Sequence, residues 1–207
     1  MKRPVFIARQ SARPSGLLGR VIAGVMAHET SDLNERAVHL LGPSPSDRVL
    51  EVGFGHGRTV ARLANIVDKG CVCGIDVSES MVTMAVRRNR RAVATGRVQL
   101  RKGDCVSIPF GNANFNGALA VHTLYFWSDP IACLSEIRRI LKPRARLVLG
   151  FLRSDSVHRN HFPDEIYTFY DEQSVRTMLQ TCAFGSIQFS QIGEASLVLA
   201  TATDAPA

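Results

Sequence analysis

Apolar positions along this chain follow two rhythms. Short, nearly continuous apolar runs fall near 48–52, 71–76, 97–101, 116–121 and 146–152, the pattern of strands buried on both faces. Between them, apolar residues recur at helical spacing near 57–67, 79–94 and 129–141. Asp129 followed by Pro130 is a helix start, because proline is tolerated in the first turn. An earlier helix is expected from about Asp32 to Leu41, stopped by Gly42-Pro-Ser-Pro45. A last helix near 171–182 and strands near 186–191 and 195–201 complete the series. Strands alternating with helices predict a parallel sheet covered on both faces, with ligand at the carboxyl ends of its strands.

Within this series, Val49-Leu-Glu-Val-Gly-Phe-Gly-His-Gly-Arg58 runs a strand into a glycine turn that opens a helix. Glycines belong there because the backbone turns sharply and approaches a ligand closely. The next strand, Cys71-Val-Cys-Gly-Ile-Asp-Val77, ends on Asp76, 21 positions past Gly55, where such units place the carboxylate that grips ribose hydroxyls. The dinucleotide fingerprint Gly-x-Gly-x-x-Gly is not met: the spacing is Gly53-x-Gly55-x-Gly57, and Arg58 holds the third-glycine position. Glu51, at the strand end, would repel a pyrophosphate but accept hydrogen bonds from an ammonium group.

This set of residues resembles the class I S-adenosylmethionine (SAM)-dependent methyltransferases, in particular the type 11 group that includes ubiquinone and menaquinone biosynthesis methyltransferases. Glu51-Val-Gly-Phe-Gly-His-Gly57 is similar to their first motif and Gly74-Ile-Asp-Val-Ser78 to their strand-two motif. Gly103-Asp-Cys-Val-Ser-Ile-Pro-Phe110 resembles their Gly-Asp-Ala-x-x-Leu-Pro-Phe segment, and Glu136-Ile-Arg-Arg-Ile-Leu-Lys-Pro143 the helix and turn before their fifth strand. The four matches lie in order across roughly residues 47–152. The resemblance implies a Rossmann-like, doubly wound, mostly parallel seven-stranded sheet with an N-terminal helical lid. It divides the chain into a lid (1–42), a SAM-binding core (43–202) and a tail (203–207). It implies SAM as cofactor, held by Glu51, Gly53, Gly55, Gly57, Asp76, Val77, Asp104, Cys105 and His122, with Asp104 toward the adenine amino group. Two departures, Arg144-Ala145 for Gly-Gly and Phe115-Asn116 for Phe-Asp, are expected to alter local geometry and leave cofactor binding intact.

Methyl transfer from a sulfonium needs a base only where the acceptor must lose a proton. His122, closing the fourth strand, has three readings: a base, a hydrogen-bond partner of substrate, or a residue that shapes the loop. His56, inside the glycine turn, either lines the pocket or stands exposed. Tyr125, Phe126 and Trp127 after that strand either wall an acceptor site or pack the next helix, and with His161 and Tyr167 from the irregular stretch 151–170 they are the candidates to face the acceptor. The favoured acceptor is a small apolar or lipid-like molecule.

With 207 residues and 45% apolar composition, one domain with a full core is expected. No run approaches the roughly 20 apolar residues that span a bilayer. The five cysteines match no zinc spacing and read as buried, reduced thiols of a cytoplasmic protein. The net charge of +7 comes with 21 Arg against 4 Lys. Part of it lies in Arg87-Arg88-Asn89-Arg90-Arg91, a basic cluster without interleaved aromatics, read as a solvated helix end. Leu17, Leu18, Val21, Ile22, Val25 and Met26 form one helical apolar face in a stretch that also holds Lys2, Arg3, Arg9, Arg13 and Arg20, read as the lid, with peripheral membrane contact as the second reading and an import peptide as the third. Nucleic acid is disfavoured as a substrate: no Asn-Pro-Pro-Tyr, Asp-Pro-Pro-Tyr or Pro-Cys pair follows strand four. The remaining alternatives are a non-catalytic SAM-binding protein and an NAD-dependent oxidoreductase.

Overall fold

A computed structural model describes residues 4–16 and 31–204. The expected lid face at 17–26 lies outside the described residues. Helix α1 is Val5–Ala12 and α2 Ser31–Leu41; then come β1 (Arg48–Val52), α3 (Arg58–Ile66), β2 (Cys71–Asp76), α4 (Glu79–Arg88), α5 (Arg90–Ala94) and β3 (Val98–Lys102). The second half runs β4 (Phe115–Val121), α6 (Pro130–Ile140), β5 (Leu141–Leu152), α7 (Glu172–Thr181), β6 (Phe184–Ile192) and β7 (Ala195–Ala202). The seven strands form one sheet in the order β3-β2-β1-β4-β5-β7-β6. All pairings through β5 are parallel, whereas β7 runs antiparallel to both β5 and β6. The fold is the expected doubly wound, mostly parallel sheet.

Both faces of the sheet are apolar because each central strand alternates its side chains between two helical layers. Val49, Val72, Leu119 and Val148 join Leu33, Val38, Leu41, Val60 and Leu63 of α2 and α3 on one face. Leu50, Cys73, Ala118 and Leu147 join Leu134, Ile137 and Ile140 of α6 and Val175 and Leu179 of α7 on the other. The order reverses at β1, whose neighbours are β2 and β4. The helices that leave these strands diverge there and open a crevice at their carboxyl ends.

Two local readings are revised. The helix expected over 79–94 is broken at Asn89, which is buried and turns its amide onto the carbonyls of Gly57 (3.0 Å) and Ala85 (2.9 Å). That side chain competes with the helix backbone and ties the break to the glycine turn. Strand β5 begins at Leu141, earlier than expected, and residues between Leu141 and Arg146 bulge out of register with β4. Arg144, where the resembled family has glycine, has φ 62°, a left-handed conformation that favours glycine. Asn116, in place of the family's Asp, accepts hydrogen bonds from the Arg48 backbone N–H (3.0 Å) and Lys142 Nζ (3.2 Å). Both departures thus meet at one irregularity in the β4–β5 pairing, Asn116 on the β4 side and Arg144 on the β5 side.

Much of the basic cluster stands on the surface, as its solvated reading expects. Nearby cations are engaged structurally: Arg97 donates to the Ala64 carbonyl (2.9 Å) and Arg101 lies over the Phe110 ring (5.2 Å). Among the described residues, no helix is long and apolar enough to cross a membrane.

Candidate functional site

A cavity of about 400 Å3 opens where the carboxyl ends of β1, β2 and β4 diverge. Glu51, Gly53, Gly55, His56, Asp76, Val77, Asp104, Cys105, His122 and Trp127 all line it. The topology therefore gathers these residues from four separate segments of the chain. Gly57 is the exception among the glycines. A Cβ there would lie 2.6 Å from that of Ala85, so Gly57 permits α3 and α4 to pack closely and does not face the cavity. The third-glycine role of the dinucleotide fingerprint has moved one position forward.

Gly53 (φ 72°) and Gly55 (φ 53°) hold left-handed backbone in the turn. A Cβ on Gly53 would collide with Thr123 at 2.3 Å, and one on Gly55 would meet no protein atom and project into open space. Asp76 braces this turn. Its Oδ2 accepts from the Gly55 N–H (2.8 Å) and its Oδ1 from the Ser78 N–H (2.8 Å). Burial nevertheless raises its pKa, the two amides opposing. Each oxygen keeps a second lone pair for a ligand hydroxyl.

Glu51 is the most unusual group of the site. It is 5% exposed, and its Oε2 is buried without a hydrogen-bond partner among the described residues. Desolvation, reinforced by the Asp76 carboxylate, pushes its pKa up to about 8. A buried carboxylate oxygen with no donor is costly unless something supplies one. The cavity beside it is where that donor enters.

His122 ends β4 with φ 59°, its N–H donating to the Gly150 carbonyl (2.7 Å). Its Nδ1 lies 2.5 Å from the Tyr125 hydroxyl. Desolvation lowers the His122 pKa to about 4 and raises that of Tyr125, so both are neutral near pH 7. With the proton on Nδ1, the tyrosine oxygen accepts and Nε2 keeps a lone pair; in the other tautomer the tyrosine donates and Nε2 carries the hydrogen. His56, inside the cavity wall, is held neutral by burial and by Arg88 and Arg58, its pKa near 4.

The acceptor candidates separate. Trp127 lines the cavity, and so does Phe126 beside it. Tyr125 and Tyr167 are buried in an aromatic cluster with Phe162 and Phe169, and neither reaches the cavity wall. That cluster packs the 151–170 segment onto the turn after β4, with the Thr168 N–H donating to the Tyr125 carbonyl (3.1 Å). His161 is exposed beside His158, 5.9 Å between ring centroids, and also stands outside the wall.

Two further elements escaped the sequence reading. Ser11, Ala12, Arg13 and Pro14 at the end of α1 form part of the wall, and the Ser78 hydroxyl donates to the Pro14 carbonyl. Only the small residues Ala8 and Ser11 of α1 are buried, so no apolar stripe announced its docking. Cys105 and Cys133, read as reduced thiols, form a disulfide, whereas Cys71, Cys73 and Cys182 are free. They lie 28 positions apart, and only the packing of α6 beside the Asp104 turn brings them together. Ligand atoms of Asp104, Cys105 and Cys133 lie within 4.8 Å of one another, but with the two sulfurs bonded they offer no thiolate pair to a metal.

The site fits the cofactor that the resemblance implies. Glu51 presents an unpartnered Oε2 to an ammonium, the glycine turn leaves room for close approach, and Asp76 retains acceptors for ribose hydroxyls. The methyltransferase-domain family model, type 11, matches residues 50–149. The O-methyltransferase cnsE of Penicillium expansum is 36% identical over 115 residues, 56% of this chain and 41% of that protein. The uncharacterised methyltransferase YdaC of Bacillus subtilis is 32% identical over 130 residues, 62% of this chain and 70% of its own length. A SAM-dependent methyltransferase structure from Aquifex aeolicus superposes with TM-score 0.71 at 25% identity, covering 82% of this chain and 89% of that one. The chain spans less than half the length of two of the fungal O-methyltransferases it matches, cnsE and that of Pyrenophora dematioidea.

Proposed function

Since this chain belongs to the class I SAM-dependent methyltransferases of type 11, we propose that it moves a methyl group from SAM to a small, apolar acceptor. The observation that carries this reading is the buried, unpartnered Glu51 oxygen at the glycine turn. It suits the ammonium of a methionine end and opposes the pyrophosphate of a dinucleotide, which sets the NAD-dependent alternative aside. SAM supplies an electrophilic methyl on a sulfonium, displaced in line with a neutral leaving group. Everything else falls to the protein as positioning. Glu51 and Asp76 would fix the two ends of the cofactor, the glycine turn would let it approach the backbone, and α1 would close the wall over it.

On the acceptor side, Phe126 and Trp127 give an apolar lining beside His122. A hydroxyl acceptor would lose its proton during attack, and His122 in the Nδ1-protonated tautomer is the neutral base that Tyr125 holds in place. The names of related O-methyltransferases, cnsE and the 27-O-demethylrifamycin SV enzyme of Amycolatopsis mediterranei, support a hydroxyl acceptor.

The test is calorimetric titration with S-adenosylhomocysteine (SAH), then mass-spectrometric detection of methylated product across phenols, polyketide-like alcohols and lipids. Binding followed by product with a phenol or alcohol supports the proposal. Binding without turnover on any acceptor would leave the non-catalytic SAM-binding alternative. NAD binding by well-folded protein that ignores SAH would overturn the assignment.

A further inference from the structure

We propose that the Cys105–Cys133 disulfide is a redox latch on the cofactor pocket, which strengthens cofactor binding when closed and is shielded from reductants by the bound cofactor. This rests on the reading of the cavity as a SAM site.

The argument begins with what holds the Asp104 turn. Its near end is fixed by the Gly103 N–H donating to the Asp76 carbonyl (3.0 Å). Its far end is fixed to α6, where Glu136 accepts from the Ile108 N–H (2.8 Å) and Arg139 donates to the Ile108 and Phe110 carbonyls, 2.9 Å each. Between these anchors, the hydrogen bonds of residues 104–107 among the described residues stay within the turn: Ser107 N–H to the Asp104 carbonyl and Val106 N–H to Asp104 Oδ1. The disulfide is the tie from this stretch to the neighbouring helix.

That tie also joins two walls of the cavity. Gly103, Asp104 and Cys105 form one side; Phe126, Trp127 and Ser128, leading into α6, form another. Two thiols in van der Waals contact need more room than two bonded sulfurs. Cys133 is fully buried, so opening the bond shifts Cys105 and, with it, the adjoining Asp104.

Access is one-sided. Cys105 lines the cavity and keeps 6% exposure, whereas Cys133 has none. A reducing thiolate therefore enters through the empty pocket and attacks Cys105 Sγ. That step forms a mixed disulfide and releases the Cys133 thiolate, which takes a proton; a second thiol then resolves the mixed disulfide. Closure takes two electrons and two protons from the pair, and hydrogen peroxide as oxidant leaves two waters. If the closed latch favours the cofactor, the cofactor must favour the closed latch by the same factor.

Alkylation of the denatured protein with a maleimide counts the state directly: three of the five cysteines react when the latch is closed and all five when it is open. Wild-type protein is treated with dithiothreitol with and without saturating SAH. The proposal expects SAH to slow opening at least tenfold. Calorimetry should give SAH an affinity at least fivefold weaker for reduced protein and for Cys133→Ser than for oxidised protein. Equal affinities with unprotected opening would overturn the latch while leaving the pocket assignment intact. Five reactive cysteines after peroxide treatment would overturn it as well. SAH binding in neither state would remove the SAM-site reading beneath it.

Discussion

At the scale of the residue, Glu51 sets how ligand binding depends on pH. Its pKa near 8 in the empty pocket means that the folded protein keeps a proton which the unfolded chain releases near the ordinary 4.5. The folded state binds more protons between these values, so Glu51 lowers stability as pH rises from about 4.5 to 8. An ammonium ligand reverses the preference, because it pairs with the carboxylate. SAH binding at pH 6.5 is therefore expected to release close to one proton, measurable by titrating in buffers of different ionisation enthalpy, and to release none at pH 9.5. Glu51→Gln removes both effects: SAH affinity falls roughly 10- to 100-fold, the worth of a charge-assisted hydrogen bond, while the ligand-free variant melts higher at pH 8. This variant is a cleaner probe than Asp76→Ala, since the Asp76 carboxylate also braces Gly55 and Ser78. His122 adds a separate signature. With a pKa near 4 it stays neutral from pH 6 to 9, so kcat should be flat there while the KM for SAM falls toward pH 8.

At the scale of the element, apolar rhythm located nearly every strand and helix, and it failed where a single polar side chain decided the outcome. Nothing in the periodicity of 79–94 marks Asn89, whose amide reaches a carbonyl 32 positions away. The aromatic run after β4 was legible as important, but not that Tyr125 faces Tyr167 and Phe169 while Trp127 faces the cavity; that depends on how the 151–170 segment folds back. The turn into β5 shows how much strain one residue can carry. Arg144 at φ 62° stands in the conformation that costs a side-chain-bearing residue ~1–2 kcal/mol, and glycine gives back part of that gain in chain entropy. Its ion pair with Asp204 (3.4 Å) is solvent-exposed on both sides and adds little. Arg144→Gly is expected to raise unfolding stability by about 1 kcal/mol in urea titration, with SAH binding unchanged, because the turn lies at the amino end of β5. A loss of stability would show that the Arg144 conformation is not a burden.

At the scale of the molecule, the division into lid and core changes character. Helix α2, placed in the lid by the boundary at residue 42, packs Leu33, Ala37, Val38 and Leu41 into the same apolar layer as α3 and the sheet. It is part of the core. Helix α1 is different: from it, only Ala8 enters the apolar core, yet its end supplies a stretch of cavity wall and an acceptor for Ser78, the cap of α4. Stability and ligand closure are therefore carried by different parts of the chain. Among the described residues, both apolar layers lie between residues 33 and 202 apart from that one alanine, so removing residues 1–14 should leave a cooperatively folding protein. Its melting temperature should fall by only a few degrees, because one small buried residue and one cap contact are lost. SAH affinity should fall roughly tenfold, since one wall of the pocket opens to water. Calorimetry and thermal melts on the same preparation distinguish the outcomes: a collapse in melting temperature would make α1 part of the folding unit, and unchanged affinity would show that the wall it builds does not touch the ligand.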